Sequence, residues 1–527
     1  MCSAGFIVYS RALGGAFQLD DYRVIVDNPA IKDISNLQRI WEFWPTRFIT
    51  NLSFAANFRL ERFNVFYYHL FNMIIHLGAA ILVWRLTFLT FLAPAIKGEK
   101  IAGQKEMLSF FAGLVFVLHP VQTEAVSYIV QRATSLAAFF CLASLYLYIK
   151  SRLAESGTGP SGRQRYYYAA SLVLAVAAAF TKEMAVILPL IILLYEFIFL
   201  KCDKPLRWQR LVPFIIVIFI VPVTMFATRS VDFKEMRLIS EGPSGISPVR
   251  YLLTQTRVAI TYMRLLFAPL NQNVDYDYHV AKTIMEWPVL AGIVIIIFIL
   301  IVAIKILPKY RLLSFGVFFF FLTLLPESSV IPIADVIFEH RLYLPMAGYA
   351  IFLSAAVYYI FGRSSRKTMG AAMLVMVVIY SPLTYCRNAV WESKLALWDD
   401  AVRKSPDKSR PYNNRGFAYM EKGDFDAAMR DFKKAIALES SSDAGYYYNL
   451  GNVYNVKGRL SEAIFNYNEA IRINPGYAEA YIQRAVAYFK NGDYAASLED
   501  VCKLESMGCY VPAGFREKLN DAMKESK

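Results

Sequence analysis

Ten apolar runs, each close to the length a helix needs to cross a bilayer, occupy most of the chain before residue 387. They lie near residues 66–91, 108–121, 125–150, 166–181, 183–200, 211–228, 287–306, 312–326, 344–361 and 369–386. Hydrocarbon offers no water to an amide group, so a spanning segment must satisfy its own backbone, and a helix of about 20 residues does so. The expected fold is all-α, with a polytopic helical membrane bundle over residues 1–387. Composition points the same way. The chain is 56% hydrophobic and 15% aromatic, above the roughly 45–50% apolar share of soluble domains.

The formal net charge of +14 excludes a nucleic-acid surface on pattern, because the cations are spread through short loops and form no single patch. Seventeen of them fall in alternate loops: Lys97, Lys100 and Lys105; Lys150, Arg152, Arg163 and Arg165; Lys201, Lys204, Arg207 and Arg210; Lys305, Lys309 and Arg311; Arg363, Arg366 and Lys367. Basic residues in short loops stay in the cytoplasm. The opposite turns, "LHPVQTEAV", "FTKEMA" and "PESSVIPIADVIFEHRLYLP", together with "LDDYR" and the C-terminal tail, are thereby expected on the periplasmic or lumenal side. Residues 3–16 are interrupted by Arg11, Gly14 and Gly15 and are too short to span. They also lack the basic flank of a signal peptide. The expectation is a first span that is truncated. Cys502 and Cys509 are read as two thiols or a disulfide in an oxidising compartment.

Beyond residue 387 an internal repeat begins. Gly416, Gly451 and Ala485 fall in register at steps of 35 and 34, the period of a tetratricopeptide repeat (TPR). Small residues at Gly416, Ala428, Gly451 and Ala463 permit close helix pairs, with Tyr419, Tyr454, Tyr488, Phe432 and Tyr467 filling the space between. Residues 409–510 are expected to form three repeats of a C-terminal α-solenoid, entered through a juxtamembrane half-repeat helix at 388–408 and closed by a capping helix at 511–527. Asn413, Asn449, Tyr412 and Tyr447 are expected on its concave face, to hold a protein acceptor or peptide.

Ionisable residues at membrane depth are costly and face a cavity or a partner. In "YYHLFNMIIH", His69, Asn72 and His76 share a helix face, which suits a cavity or interhelical packing. His119, Glu124 and Arg132 surround a Pro-marked turn, as a site or an ion pair. Lys182 and Glu183 sit in an outer turn, as a site or a helix cap. Glu339, His340 and Arg341 precede a span, where Arg341 and Tyr343 also suit interfacial anchoring. Asp20 and Asp21 form a pair in which each carboxylate raises the other's pKa, or in which both share a cation. Arg and Lys suit a lipid-linked phosphate, and a carboxylate facing them suits a general base.

At "FQLDDYRVIVDNPAI", "HLFNMIIH", "HPVQTEAVSYIVQR", "TKE" and "EHRLYLP", followed by TPR repeats, the chain resembles the transmembrane and TPR O-mannosyltransferases of the GT-C glycosyltransferase superfamily and their bacterial relatives. The resemblance implies an inverting, polyprenyl-phosphate-sugar-dependent glycosyltransferase acting on a protein hydroxyl. It makes Asp20 the base, with Asp21 beside it, and puts Arg132, Lys182 and Arg341 at the donor phosphate. His69, His76, His119, Glu124, Glu183, Glu339 and His340 would line the cavity. No metal ligand set is assigned, although a divalent metal on Asp20, Asp21 and His119 or Glu124 is an alternative. The implied partners are membrane lipids, the lipid-linked sugar and a protein acceptor. The implied location is a bacterial inner membrane with periplasmic repeats, or the ER membrane of a eukaryote. The segment 251–270, with Arg257 and Arg264 on one face, reads as an interfacial helix within an outer loop at 229–286. A membrane-anchored TPR scaffold and a lipid-sugar transporter are the alternative classes. The absence of a matching cluster on the cytoplasmic side counts against transport.

Overall fold

A computed structural model describes residues 1–154, 161–200, 208–228, 246–328, 332–333, 335–362, 365–439 and 443–525. The described residues are helices and connecting turns, with no β-strand among them. They form two compact units. One comprises Met1–Val274 and Tyr278–Glu392; the other comprises Asp275–Asp277 and Ser393–Lys527.

The first unit is the membrane bundle. Among the described residues, seven helices are long and apolar enough to cross a membrane: Val65–Phe91, Lys100–Leu118, Ile129–Ala154, Glu183–Leu200, Trp208–Ala227, Trp287–Ile306 and Arg366–Val390. Two shorter apolar helices, Arg311–Leu324 and Pro345–Phe361, correspond to two more of the expected runs. The tenth run forms the helix Ser161–Ala179, which falls outside both groups. Its first turns carry Arg163, Arg165 and three tyrosines, which lower its hydropathy. The Ile129–Ala154 segment is largely buried, whereas Trp287–Ile306 exposes most of its apolar surface, as a helix against lipid does.

Arg152, expected in a cytoplasmic loop, instead ends the Arg132–Ala154 helix. It is buried and paired with Glu196 at 2.5 Å. Lys201, Lys204, Arg207 and Arg363 of the same set lie outside the described residues. The expected interfacial segment forms the helix Pro248–Phe267 and buries Tyr251, Gln255, Val258 and Tyr262 along one face; residues 229–245 of the same expected loop are outside the described residues.

The second unit is a run of paired helices, Ser409–Glu421 with Phe425–Leu438, Ala444–Val456 with Leu460–Ile473, and Ala478–Lys490 with Tyr494–Ser506, preceded by Lys394–Lys404 and followed by Ala513–Glu525. The small residues act where the helices cross. A Cβ at Gly416 would lie 2.8 Å from the Phe432 ring, and one at Gly451 would lie 2.6 Å from the Tyr467 ring. Ala428, Ala463, Phe432 and Tyr467 are buried in one core with Tyr454, against which Tyr419 packs. Ala485 occupies the equivalent place in the third pair, packed with Val501 and with Leu519 of the last helix. Cys502 and Cys509 are free thiols.

Candidate functional site

The paired acids divide into two roles. Asp21 is fully buried and Asp20 is exposed. The Asp21 carboxylate accepts the Gln18 N–H at 2.8 Å and the Val130 N–H at 2.7 Å, while its own N–H donates to the Gln18 carbonyl at 2.8 Å. These bonds close a tight turn over Leu19, whose φ of 46° is left-handed and costly for a branched side chain. They also dock that turn onto the segment that starts the Arg132–Ala154 helix. The Asp20 N–H donates to the Tyr128 hydroxyl at 2.9 Å, and the Tyr128 ring stacks on Trp391 with centroids 5.8 Å apart. Among the described residues the Asp20 carboxylate has no hydrogen-bond or ion-pair partner. The loop thus holds one carboxylate open by anchoring everything around it. Burial, with some repulsion from Asp20, pushes the Asp21 carboxyl up to about 8 against the two N–H bonds that lower it.

Three further loops are joined through Glu124 and Glu339. Glu124 accepts the N–H groups of Glu339 at 2.9 Å and of His340 at 3.3 Å, and meets His340 Nδ1 at 2.6 Å. Burial raises the Glu124 carboxyl and lowers His340, with Lys182 and Arg341 adding to the latter effect. The pair therefore favours a single proton in the Oε1–Nδ1 bond. Glu339 accepts the Asn273 N–H and the Gln272 amide, both at 2.7 Å. His119 bonds the Leu266 carbonyl through Nε2 at 2.9 Å and accepts the Val121 N–H through Nδ1; burial lowers it to about 4.

Lys182 pairs with Glu327 at 2.5 Å and donates to Thr134. Burial alone would raise Glu327, but Lys182 and Arg341 hold it at about 2. Arg341 donates to the Tyr251 hydroxyl and to the carbonyls of Val336 and Asp335. Glu183 pairs with Arg47 at 3.3 Å and accepts from Thr46. Electrostatic coupling links Lys182, Glu327, His340, Arg341 and Arg47 into one neighbourhood. Tyr128, coupled to Asp20, Asp21 and Glu124, connects it to the acid loop.

Three expected cavity or phosphate residues are buried inside the bundle, Arg132 within electrostatic reach of Asp21. Arg132 is completely buried, and its guanidinium is occupied by Asn72, Asn57, the Ser53 carbonyl and hydroxyl, and the Tyr68 carbonyl, with the Phe54 and Phe71 rings within 4.6 Å. It is a strut, because its guanidinium is buried and all three of its nitrogens already bond to the protein. His76 is buried between the Tyr343 hydroxyl and the Val117 carbonyl. His69 is buried and neither of its ring nitrogens has a hydrogen-bond partner among the described residues. The metal alternative does not fit: Asp21 and both nitrogens of His119 are engaged within the protein, and no group of three His, Cys, Asp or Glu among the described residues has metal-holding geometry.

Sequence reasoning missed Tyr128, Glu327, Arg47, Tyr251 and Gln272. Tyr128 and Glu327 stand inside turns singled out in the sequence, yet nothing in the spacing ties Tyr128 to Asp20 or Glu327 to Lys182.

Residues 409–442 match the family described as Tetratricopeptide repeat, and residues 451–492 the one described as TPR repeat. Nearly the whole chain aligns with a protein O-mannosyl-transferase of Caenorhabditis elegans, 23% identical over 91% of this chain and 63% of that protein. Protein O-mannosyl-transferase TMTC3 of Homo sapiens is 25% identical over 90% of this chain and 56% of its own length. The human TMTC4 protein is 24% identical over 81% and 64%. The chain is a homologue of these O-mannosyl-transferases. It spans about 60% of the length of the curated relatives it matches. The alignments cover far more of the chain than the repeats, so the similarity extends into the membrane unit.

Proposed function

We propose that the chain is an integral-membrane, GT-C-type glycosyltransferase that moves a mannose-like sugar from a polyprenyl phosphate to a protein hydroxyl on the periplasmic or lumenal side. The observation that carries this reading is Asp20, whose carboxylate has no hydrogen-bond or ion-pair partner among the described residues and sits on a loop fixed by Asp21 and Tyr128. A general base must be both available and held still. Asp20 takes the proton of the acceptor hydroxyl as its oxygen bonds to the anomeric carbon. The bond from that carbon to the phosphate oxygen breaks, and its electron pair leaves with the polyprenyl phosphate. Attack opposite the leaving group inverts the anomeric centre. Lys182 and Arg341 supply positive charge for the phosphate as its negative charge grows, and the Glu124–His340 pair keeps the 339–341 turn in position. The repeats recruit the acceptor through a face that includes Asn449, which donates to Asn413 at 2.9 Å. A bacterial chain of this kind sits in the inner membrane, and a eukaryotic one in the ER membrane.

Comparative glycoproteomics of cells with and without the gene, together with transfer from polyprenyl-phosphate mannose to a hydroxylated peptide by purified protein, tests the proposal. Loss of specific O-linked hexose from protein and turnover in vitro are expected. An unchanged glycoproteome and no transfer would leave the chain a TPR scaffold.

A further inference from the structure

A second polar site opens where the chain enters its first long span. The helix Phe48–Glu61 ends at a corner, Arg62–Asn64, from which Val65–Phe91 begins. Beside that corner is a cavity of about 290 Å³ lined by Lys32, Asp33, Ile34, Phe58, Arg59 and Arg62. Three cations converge on it, and none of them makes an ion pair among the described residues. The one acid, Asp33, already accepts from the Ser35 N–H and hydroxyl at 3.0 and 2.6 Å. Three cations sharing one carboxylate leave the cavity with an excess of positive charge, and an anion bound there offsets it.

Two of the cations are also held in place. Lys32 lies over the Phe63 ring at 5.9 Å, and Arg62 over Phe58 at 5.3 Å. The backbone of Arg62 is fixed at a φ of 52°, with its carbonyl accepting from the Tyr68 hydroxyl at 3.0 Å. A left-handed arginine is strained, and that strain persists here because the corner requires it.

The rim identifies the source of the anion. Leu60 is 72% exposed, Phe66 42% and Phe63 36%, so a band of apolar side chains borders the basic cavity at the end of a spanning helix. Aromatic and aliphatic side chains beside cations at that depth belong to the zone where headgroups meet acyl chains. We infer that this corner binds the phosphate of an anionic phospholipid, with Lys32, Arg59 and Arg62 around the headgroup and Leu60, Phe63 and Phe66 against its acyl chains. The inference does not depend on the catalytic reading.

The test titrates short-chain phosphatidylglycerol, phosphatidylcholine of the same chain length, and inorganic phosphate into the detergent-solubilised full chain while following thermal unfolding. Phosphatidylglycerol should stabilise the protein and the other two should not. The Lys32→Gln/Arg59→Gln/Arg62→Gly variant should bind phosphatidylglycerol about tenfold or more weakly, since each cation contributes a charge-assisted contact; Gly is chosen because it adopts the φ of 52° and ψ of −124° without strain. Asp33→Asn, which keeps an acceptor for Ser35 and removes a repelling charge, should bind about threefold more tightly. Equal binding by wild type and the triple variant would overturn the site. Inorganic phosphate as effective as phosphatidylglycerol would overturn the lipid as its source. If the triple variant does not fold, unchanged or weaker binding by Asp33→Asn overturns it instead.

Discussion

The repeat unit and the membrane unit satisfy their buried polar groups over very different distances along the chain. In the repeats, Arg415 chelates Asp431 and Arg484 chelates Asp500, each pair sixteen positions apart. The second repeat has Leu450 and Asn466 at the same register, and both are buried. In the membrane unit, Arg132 reaches back 60 positions to Asn72, and Glu124 reaches forward 216 to His340. One unit writes most of its contacts within about one 34-residue period, where a sequence reader finds them, the exception being Asp275, held by Lys408 and Arg410 from 133 and 135 positions away. The other writes them across the whole bundle, where position alone conveys charge without assigning partners.

If that contrast is right, the two units should fail separately. Arg132→Met leaves the side-chain oxygens of Asn57 and Asn72 without their donor and removes the second bond at the Ser53 and Tyr68 carbonyls. At about 1–3 kcal/mol for a buried unsatisfied group, the expected loss exceeds about 3 kcal/mol. The thermal transition of the membrane unit in detergent should collapse, while limited proteolysis finds residues 409–510 intact. Gly451→Leu should do the reverse. Its side chain meets the Tyr467 ring at once, costing about 1–3 kcal/mol by overpacking. Cleavage should appear near residues 456–460 with the bundle transition unmoved. Simultaneous failure of both units in either variant would contradict the contrast.

Asp21→Asn sharpens it within the bundle. Asparagine offers one acceptor oxygen to the two N–H groups of Gln18 and Val130, so the expected loss is about 1–3 kcal/mol, with kcat reduced and donor KM nearly unchanged. The pH response follows from the same group. Its folded pKa of about 8 lies above its ordinary 3.8, so between these values the folded protein holds a proton that the unfolded chain has released. Its stabilising contribution is present in full below about pH 4 and is lost as pH rises through 8. The melting temperature should fall over that window in wild type and fall less in Asp21→Asn. The smallest expected effect is Leu450→Arg with Asn466→Asp, which installs in the second repeat the pair found in the first and third. The melting temperature of the repeats should change by less than the equivalent of about 1 kcal/mol. A large loss would mean that the middle repeat is specialised around its apolar position.

These contrasts also explain what was legible in the sequence. The spans were readable because a bilayer imposes length and composition on them. Gly416, Gly451 and Ala485 were readable because the crossing of each helix pair recurs at a fixed step. The division of labour between Asp20 and Asp21 was not: which of two adjacent carboxylates is buried depends on the left-handed Leu19 and on Val130, more than 100 positions away. Arg132 read as a phosphate ligand because a buried arginine strut and a binding arginine look alike until their acceptors are known. Glu327 and Tyr128 were overlooked for the same reason, as each gains its meaning from a partner on another helix.

The central claim is that the anchored loop exists to present Asp20, and Asp20→Asn tests it most directly. The Asp20 carboxylate bonds to no described residue, so the variant should fold and melt like wild type. Turnover from polyprenyl-phosphate mannose to a hydroxylated peptide should fall by about 100-fold or more, the usual scale for losing a general base, with donor binding nearly intact. Transfer close to the wild-type rate by the folded variant would contradict the account.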